Sequence, residues 1–301
     1  MGRLTAIVLG AAAGGGFPQW NCRCAVCRLA WAGDRRVKPR TQASLAVSAD
    51  GEAWVLLNAS PDLRAQIQAN RSLHPLNAAR GSPIAAVVLT GAEIDQTAGL
   101  LSLRERSPFT LYGTAATLAA VADNPMFAAL APDVVTRRAV VPGARFALGS
   151  GIDAELFIVP GKVPLYLEGD DPDVASETSA NVGVEIFGGG ARLAYVPGAA
   201  SITPAVKARL AGADVVMFDG TLFSDDEMIA TGTGQKTGRR MGHMPLDGPD
   251  GSLAALADLH ARRIFVHINN TNPILIDGSP ARERVAAAGW EVAEDGLEVV
   301  L

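Results

Sequence analysis

This sequence has very little cysteine. Three occur in 301 residues, all between Cys22 and Cys27. A disulfide framework needs pairs spread along the chain to close loops, so this clustering excludes one. Three thiols within one turn suit a reducing compartment, and the expected location is the cytoplasm. Histidine is nearly as scarce, with four. Basic charge is not in excess: 26 Lys and Arg against 31 Asp and Glu leave a net −5. That balance argues against a nucleic-acid partner held by bulk charge. No apolar run reaches the ~18 residues of a membrane-spanning helix. Hydrophobic residues at 49% and charged residues at 19% exclude wholesale disorder.

What is present is a series of short apolar runs bounded by turn residues, the mark of buried strands. The first, Leu4–Leu9, precedes Gly14-Gly15-Gly16 and reads as a strand rather than a targeting segment. Further strands are expected at Ser44–Val47, Ala53–Leu57, Ile84–Thr90, Ala139–Val141, Ala154–Val159, Val182–Phe187, Arg192–Val196, Asp214–Asp219, Arg263–Ile268 and Leu297–Leu301. Ser60-Pro61 and Ser279-Pro280 carry a capping serine and a first-turn proline, and so start helices. Pro204–Leu210 and Leu253–Leu259 read as amphipathic helices. Early strands come in adjacent pairs and later ones alternate with helices. The pattern predicts two sheets covered outside by helices, an α/β sandwich of one domain over residues 1–301.

Cys22, Cys24 and Cys27 form the strongest local signal. Three soft thiolates in one loop can wrap a tetrahedral Zn²⁺ with a fourth ligand from elsewhere. Small buried residues, or a redox pair of Cys24 and Cys27, are the alternatives. After the strand at Ile84–Thr90, Glu93 and Asp95 point two carboxylates toward one cleft, unless they are solvated loop acids. Asp219 closes a strongly apolar strand, where a buried carboxylate needs a partner or a metal. His243 lies in a glycine-containing loop and His267 ends an apolar strand. With Asp219 they make a metal group or a set of hydrogen-bonded core residues. His74 and His260 read as a surface-loop and a helix-end residue. Gly232–Thr237 lacks the residue order and preceding strand of a phosphate loop. No Gly-x-Ser-x-Gly elbow is present for a serine hydrolase.

Taken together these segments resemble the metallo-β-lactamase superfamily. Its Thr-His-x-His-x-Asp-His-x-x-Gly motif aligns with Thr90–Gly99, where Gly91, Glu93 and Gln96 stand at the histidine positions and Asp95 is retained. Gly14–Cys22, Asn58–Asp62, Asp219–Leu222, Gly238–His243 and His267–Pro273 are together similar to one branch of it, the B proteins of pyrroloquinoline quinone (PQQ) biosynthesis. The resemblance implies an αββα sandwich, a structural Zn²⁺ on the cysteine loop, and a role on the precursor peptide of PQQ. An aspartate usual after Tyr195 is replaced by Val196-Pro197-Gly198, so a two-metal hydrolytic centre is poorly supported. A single site of Glu93, Asp95, Asp219 and His243 suits a harder metal, Fe²⁺. The activity implied is iron- and O₂-dependent hydroxylation of the tyrosine ring in a Glu-Tyr unit derived from the precursor. Gln96, Arg239, Arg240 and Asn270 are the expected substrate-binding residues, with arginine a natural carboxylate clamp. The superfamily pattern sends His267 to the active-site metal, whereas related phosphodiesterases use a late histidine on zinc; the zinc is the expected place. A homodimer is expected to be compatible with this reading. A metal-dependent hydrolase of the same pathway, and a non-catalytic carrier of PQQ or its precursor toward the periplasm, are the competing functions.

Overall fold

Apolar runs without alternation belong to strands covered on both faces, and the chain uses them so. The computed structural model describes residues 2–76, 79–169, 173–174 and 176–301. Among the described residues, fourteen strands form two seven-stranded sheets. In chain order they are β1 (Thr5–Gly10), β2 (Ser44–Ser48), β3 (Trp54–Leu57), β4 (Ile84–Val88), β5 (Phe109–Gly113), β6 (Val135–Ala139), β7 (Arg145–Gly149), β8 (Ile152–Ile158), β9 (Val182–Gly188), β10 (Ala191–Val196), β11 (Val215–Asp219), β12 (Arg262–Val266), β13 (Trp290–Val292) and β14 (Glu298–Val300). One sheet is ordered β14-β1-β2-β3-β4-β5-β6 and the other β13-β12-β11-β10-β9-β8-β7. In each, an antiparallel part gives way to a parallel part, at β3 in the first and β10 in the second.

Alternate residues of β1 explain why both sheet faces are apolar. Ala6 and Val8 enter the layer between the sheets with Val47, Val184, Leu193, Met217 and Val266. Ile7 and Leu9 face outward, where Leu63 and Leu100 cover them. On the far side Val196, Phe218 and Phe265 pack under the helices Pro204–Ala211 and Pro280–Ala287 through Val206, Leu210 and Val285. Burying each such side chain contributes about 1.5–3 kcal/mol relative to leaving it in water. The result is the αββα sandwich expected from the sequence.

Four local expectations need correction. The strand placed at Ala139–Val141 is β6, and Thr136–Ala139 of that edge strand are exposed, so Arg137 and Arg138 replace the apolar run there. β5, β7 and β13 were outside the expected set. The helix Leu253–Leu259 shortens to one turn, Ser252–Ala255. Ser60 does not cap its helix, which starts at Leu63; its hydroxyl donates to Gln66 Oε1 at 3.1 Å. Ser279 does cap, accepting from the Arg282 N–H at 3.1 Å.

Gly99 shows how tightly the first sheet's loops approach. Its N–H donates to the Ala59 carbonyl at 2.8 Å, and a Cβ there would clash with the backbone oxygen of Ser60 and sit 2.8 Å from that of Ala59. Backbone cannot swing aside as a side chain can. Gly99→Ala is therefore expected to destabilise by roughly 1–3 kcal/mol, seen as a lower urea midpoint; an unchanged midpoint would contradict the packing.

Candidate active site

The chain leaves the sheets at one cluster of loops: Ala11–Phe17 after β1, Thr90–Asp95 after β4, Pro197–Ala199 after β10, Gly220–Leu222 after β11 and His267–Asn272 after β12. Asp219, the last residue of β11, is fully buried. Its Oδ1 accepts from the Thr221 N–H at 3.0 Å and hydroxyl at 2.6 Å. Its Oδ2 accepts from the Ala199 N–H at 3.0 Å and lies 2.7 Å from His243 Nδ1. His267 has φ +54°, a left-handed conformation that few side-chain-bearing residues adopt. Its Nδ1 is 2.8 Å from Thr221 Oγ1, and its Nε2 is 2.8 Å from Asp95 Oδ2. The two imidazoles stack with centroids 5.2 Å apart. Asp219, His243 and His267 each offer a ligand atom, all within 4.8 Å of one another.

Charge is concentrated here on largely buried groups. Burial alone would push the Asp219 carboxyl up, but the His243 and His267 imidazoles and the Thr221 hydroxyl outweigh it and hold it below its ordinary value. Asp95 behaves alike, raised by burial and brought below its usual value by His267 and His243. Burial pushes the His267 imidazole down, yet Asp95 and then Asp219 carry it above its usual range. Such opposed shifts in one cleft mark a site built for charge.

Two of the expected metal or substrate residues are engaged otherwise. Glu93 is outside this cluster: its carboxylate binds Lys162 Nζ at 2.8 Å and the Leu165 N–H at 3.2 Å. Gln96 lines the cavity, but its Oε1 accepts from the Glu93 N–H at 3.2 Å, closing a capping box on the short helix Ile94–Thr97. A Cβ at Gly91 would stand 2.5 Å from that oxygen, so glycine at 91 and glutamine at 96 fit one another.

The three cysteines do assemble, their sulfurs within 4.8 Å of one another. The residue that meets them is Asn270, not His267. Asn270 Nδ2 lies 3.1 Å from Cys22 Sγ and 3.3 Å from Cys27 Sγ, and its carbonyl is 3.7 and 3.8 Å from the sulfurs of Cys24 and Cys27. His267 instead groups with Asp219 and His243, its ring nitrogens facing Thr221 and Asp95, and not with the sulfurs where the sequence placed it. The same geometry removes Asn270 from the substrate cavity. Burial pushes the Cys27 thiol up to about 12; a coordinated metal reverses that by holding the thiolate.

The cavity beside Asp219, His243 and His267 has a volume of about 430 Å³. Ile94, Leu165, Met228 and Met241 supply apolar wall, and Gln42, Asn181 and Asn269 polar atoms. Arg239 turns away, exposed and donating to the Asp250 carbonyl at 3.3 Å. Arg240 lies 3.6 Å from Glu168 at the rim. Sequence reasoning missed Lys162, Glu168, Lys236 and Thr221. Lys236 lay in a segment noticed for its glycines and Thr221 in the quoted segment Asp219–Leu222, whereas Lys162 and Glu168 carried no such signal.

Glu227, the last residue of the acidic run Asp225-Asp226-Glu227, was also missed. It is buried, accepting from the Thr271 hydroxyl at 2.5 Å and the Phe223 N–H at 2.7 Å. Burial raises its carboxyl to about 7. A pKa higher in the folded than in the unfolded chain gives stability that is full below the unfolded value and lost as pH rises through the folded one. Between about pH 5 and about pH 8 the protein should lose on the order of 2 kcal/mol from this group. Glu227→Gln is expected to flatten that slope and to be the more stable protein at the alkaline end. Urea unfolding at both pH values checks it; equal slopes would refute the assignment.

A family model described as a beta-lactamase superfamily domain matches residues 53–268. Coenzyme PQQ synthesis protein B of Methylorubrum extorquens is 56% identical over 296 residues, covering 98% of this chain and 99% of the relative. That of Rhizobium meliloti is 56% identical over 299 residues, covering 99% and 98%. The chain belongs to the coenzyme PQQ synthesis protein B (PqqB) family. A crystal structure of Zn²⁺-bound PqqB from Methylobacterium extorquens matches with a TM-score of 0.97 at 56% identity, covering 99% of this chain and all of that one. A diphosphatase of the PhnP family shares the fold, with a TM-score of 0.69 at 22% identity. In this PqqB-family chain the first superfamily motif supplies Asp95 alone, and the imidazoles come from His243 and His267. No helix among the described residues is long and apolar enough to cross a membrane.

Proposed function

We propose that this chain acts in PQQ biosynthesis as a mononuclear non-haem iron hydroxylase of the tyrosine ring in a Glu-Tyr unit of the precursor. The observation that carries the reading is the group of two imidazoles and one carboxylate, His243, His267 and Asp219, with both imidazoles lining a cavity of about 430 Å³. That set, without thiolate, suits Fe²⁺ with open positions for O₂ and substrate. Asp95, on His267, adds a second carboxylate, and these four residues would hold the iron. The cysteine loop offers the opposite chemistry, soft sulfur suited to Zn²⁺; Cys22, Cys24 and Cys27 would hold it, with Asn270 in place of a fourth cysteine or histidine. The names of the family's members place the pathway, and the donor chemistry supports the reaction class.

When bound, iron supplies the redox chemistry that O₂ needs. Each turnover adds one oxygen atom to the ring and reduces the other to water, with two electrons from an external reductant. The chain's own residues do the rest. Thr221 fixes both imidazoles through one hydroxyl. Ile94, Leu165, Met228 and Met241 exclude water around an aromatic ring. The test is anaerobic protein loaded with Fe²⁺, reductant and Glu-Tyr peptide, then exposed to O₂. Hydroxylated dipeptide only after O₂ is expected. Cleavage without O₂, or tight binding with no product, would overturn the reading.

A further inference from the structure

At the cavity rim three cations converge on one carboxylate. Lys162 Nζ is saturated by acids, 2.8 Å from Glu93 Oε1 and 2.6 Å from Glu168 Oε1. Lys236 Nζ and Arg240 Nη1 stand 3.7 and 3.6 Å from Glu168 Oε2, near enough to attract and too far to donate. Arg240 Nη1 is buried with no hydrogen-bond partner among the described residues. A buried N–H left without an acceptor is costly, and its neighbours Glu168, Lys236 and Met241 line the open cavity. Glu168 itself is only 7% exposed, while Leu165 and Leu167 just before it are 57% and 54% exposed. Charge, more than packing, holds this strap in place.

We infer that Lys236 and Arg240 form a carboxylate subsite and that Glu168 is its resident stand-in. An acidic ligand places a carboxylate on Lys236 and Arg240, whose side chains make no hydrogen bond among the described residues, while Glu168 keeps Lys162. A planar guanidinium beside an ammonium recognises a carboxylate through charge-assisted hydrogen bonds and discriminates against an amide. The inference deepens the Glu-Tyr reading, on which its choice of ligand rests. The gripped carboxylate belongs either to the glutamyl side chain or to the C-terminus, and the test separates them.

Binding of four ligands to the anaerobic, metal-loaded full chain is measured by titration calorimetry: Glu-Tyr, Gln-Tyr, Glu-Tyr amide and glutarate. One of the two amide analogues should bind at least ~10-fold more weakly than Glu-Tyr, which names the carboxylate. Lys236→Met combined with Arg240→Met should close that gap and abolish glutarate binding. Glu168→Gln, which withdraws the competing acid, should widen it. A gap that survives the double variant, or analogues that bind as well as Glu-Tyr, would overturn the inference. Glutarate keeps the two readings apart: clamp-dependent glutarate binding without hydroxylation sinks only the hydroxylase, whereas hydroxylation with a clamp-independent gap sinks only the subsite.

Discussion

Asp219→Asn is expected to keep the zinc of the cysteine loop and to lose iron binding by at least ~100-fold, with hydroxylation falling alongside. The substitution preserves shape and removes one negative charge. Both imidazoles face that charge and, with the Thr221 hydroxyl, hold the Asp219 carboxyl below its ordinary value despite full burial. One amide position also turns from acceptor to donor. If the amide nitrogen takes the Oδ2 place, it meets the Ala199 N–H, now 3.0 Å from oxygen; if it takes the Oδ1 place, it meets the Thr221 N–H. Either way one buried N–H loses its acceptor, a cost of about 1–3 kcal/mol. The folded protein should therefore melt lower by roughly 2–4 °C for each kcal/mol of that cost. Metal analysis after anaerobic loading, read for iron and zinc separately, checks the result. Iron bound at the wild-type level would remove Asp219 from the ligand set.

Cys27→Ser should have the reverse signature: zinc lost, stability strongly reduced, iron site weakened without being abolished. Cys27 is fully buried and touches both Cys24 and Asn270. Structural zinc contributes folding energy directly. A loss of about 3 kcal/mol would lower the melting temperature by roughly 6–12 °C in a chain of this size. The effect on iron runs through one short loop. Asn270 on the sulfurs is three residues from His267, and between them the Ile268 N–H and carbonyl are bonded to Ala11 and Ala13 at 2.9 Å each, on the strand end that leads into the cysteine loop. Slackening the loop should lower iron affinity by about 10-fold, the scale of an outer-shell change. A melting temperature within a degree of wild type would show that the cysteines carry no structural metal.

The layers of this fold were legible because strands buried on both faces write themselves as unbroken apolar runs. Where burial is one-sided the signal failed, as in β6, whose exposed Thr136–Ala139 gave no run to read. At the site, Asp219, His243 and Asp95 were legible as polar residues at apolar strand ends or in glycine-containing loops. Glu93 misled because a carboxylate two residues from Asp95 looks like a partner; the backbone turns it onto Lys162 instead, across 69 residues of sequence. His267 and Asn270 exchanged their expected places. Two residues of loop separate them, and which faces the sulfurs depends on the left-handed turn at His267, which side-chain identity does not announce. Of the cationic rim only Arg240 was expected: Lys236 and Arg240, which follow β11, meet Glu168 of the β8–β9 connection only in the folded sandwich.

The most direct measurement is the fate of isotopically heavy dioxygen. Protein loaded with Fe²⁺, given Glu-Tyr and reductant under that gas, should return dipeptide carrying one heavy oxygen on the tyrosine ring, and Asp219→Asn should return none. Oxygen drawn from water, or product formed equally well without O₂, would contradict an iron- and O₂-dependent hydroxylase at Asp219, His243 and His267.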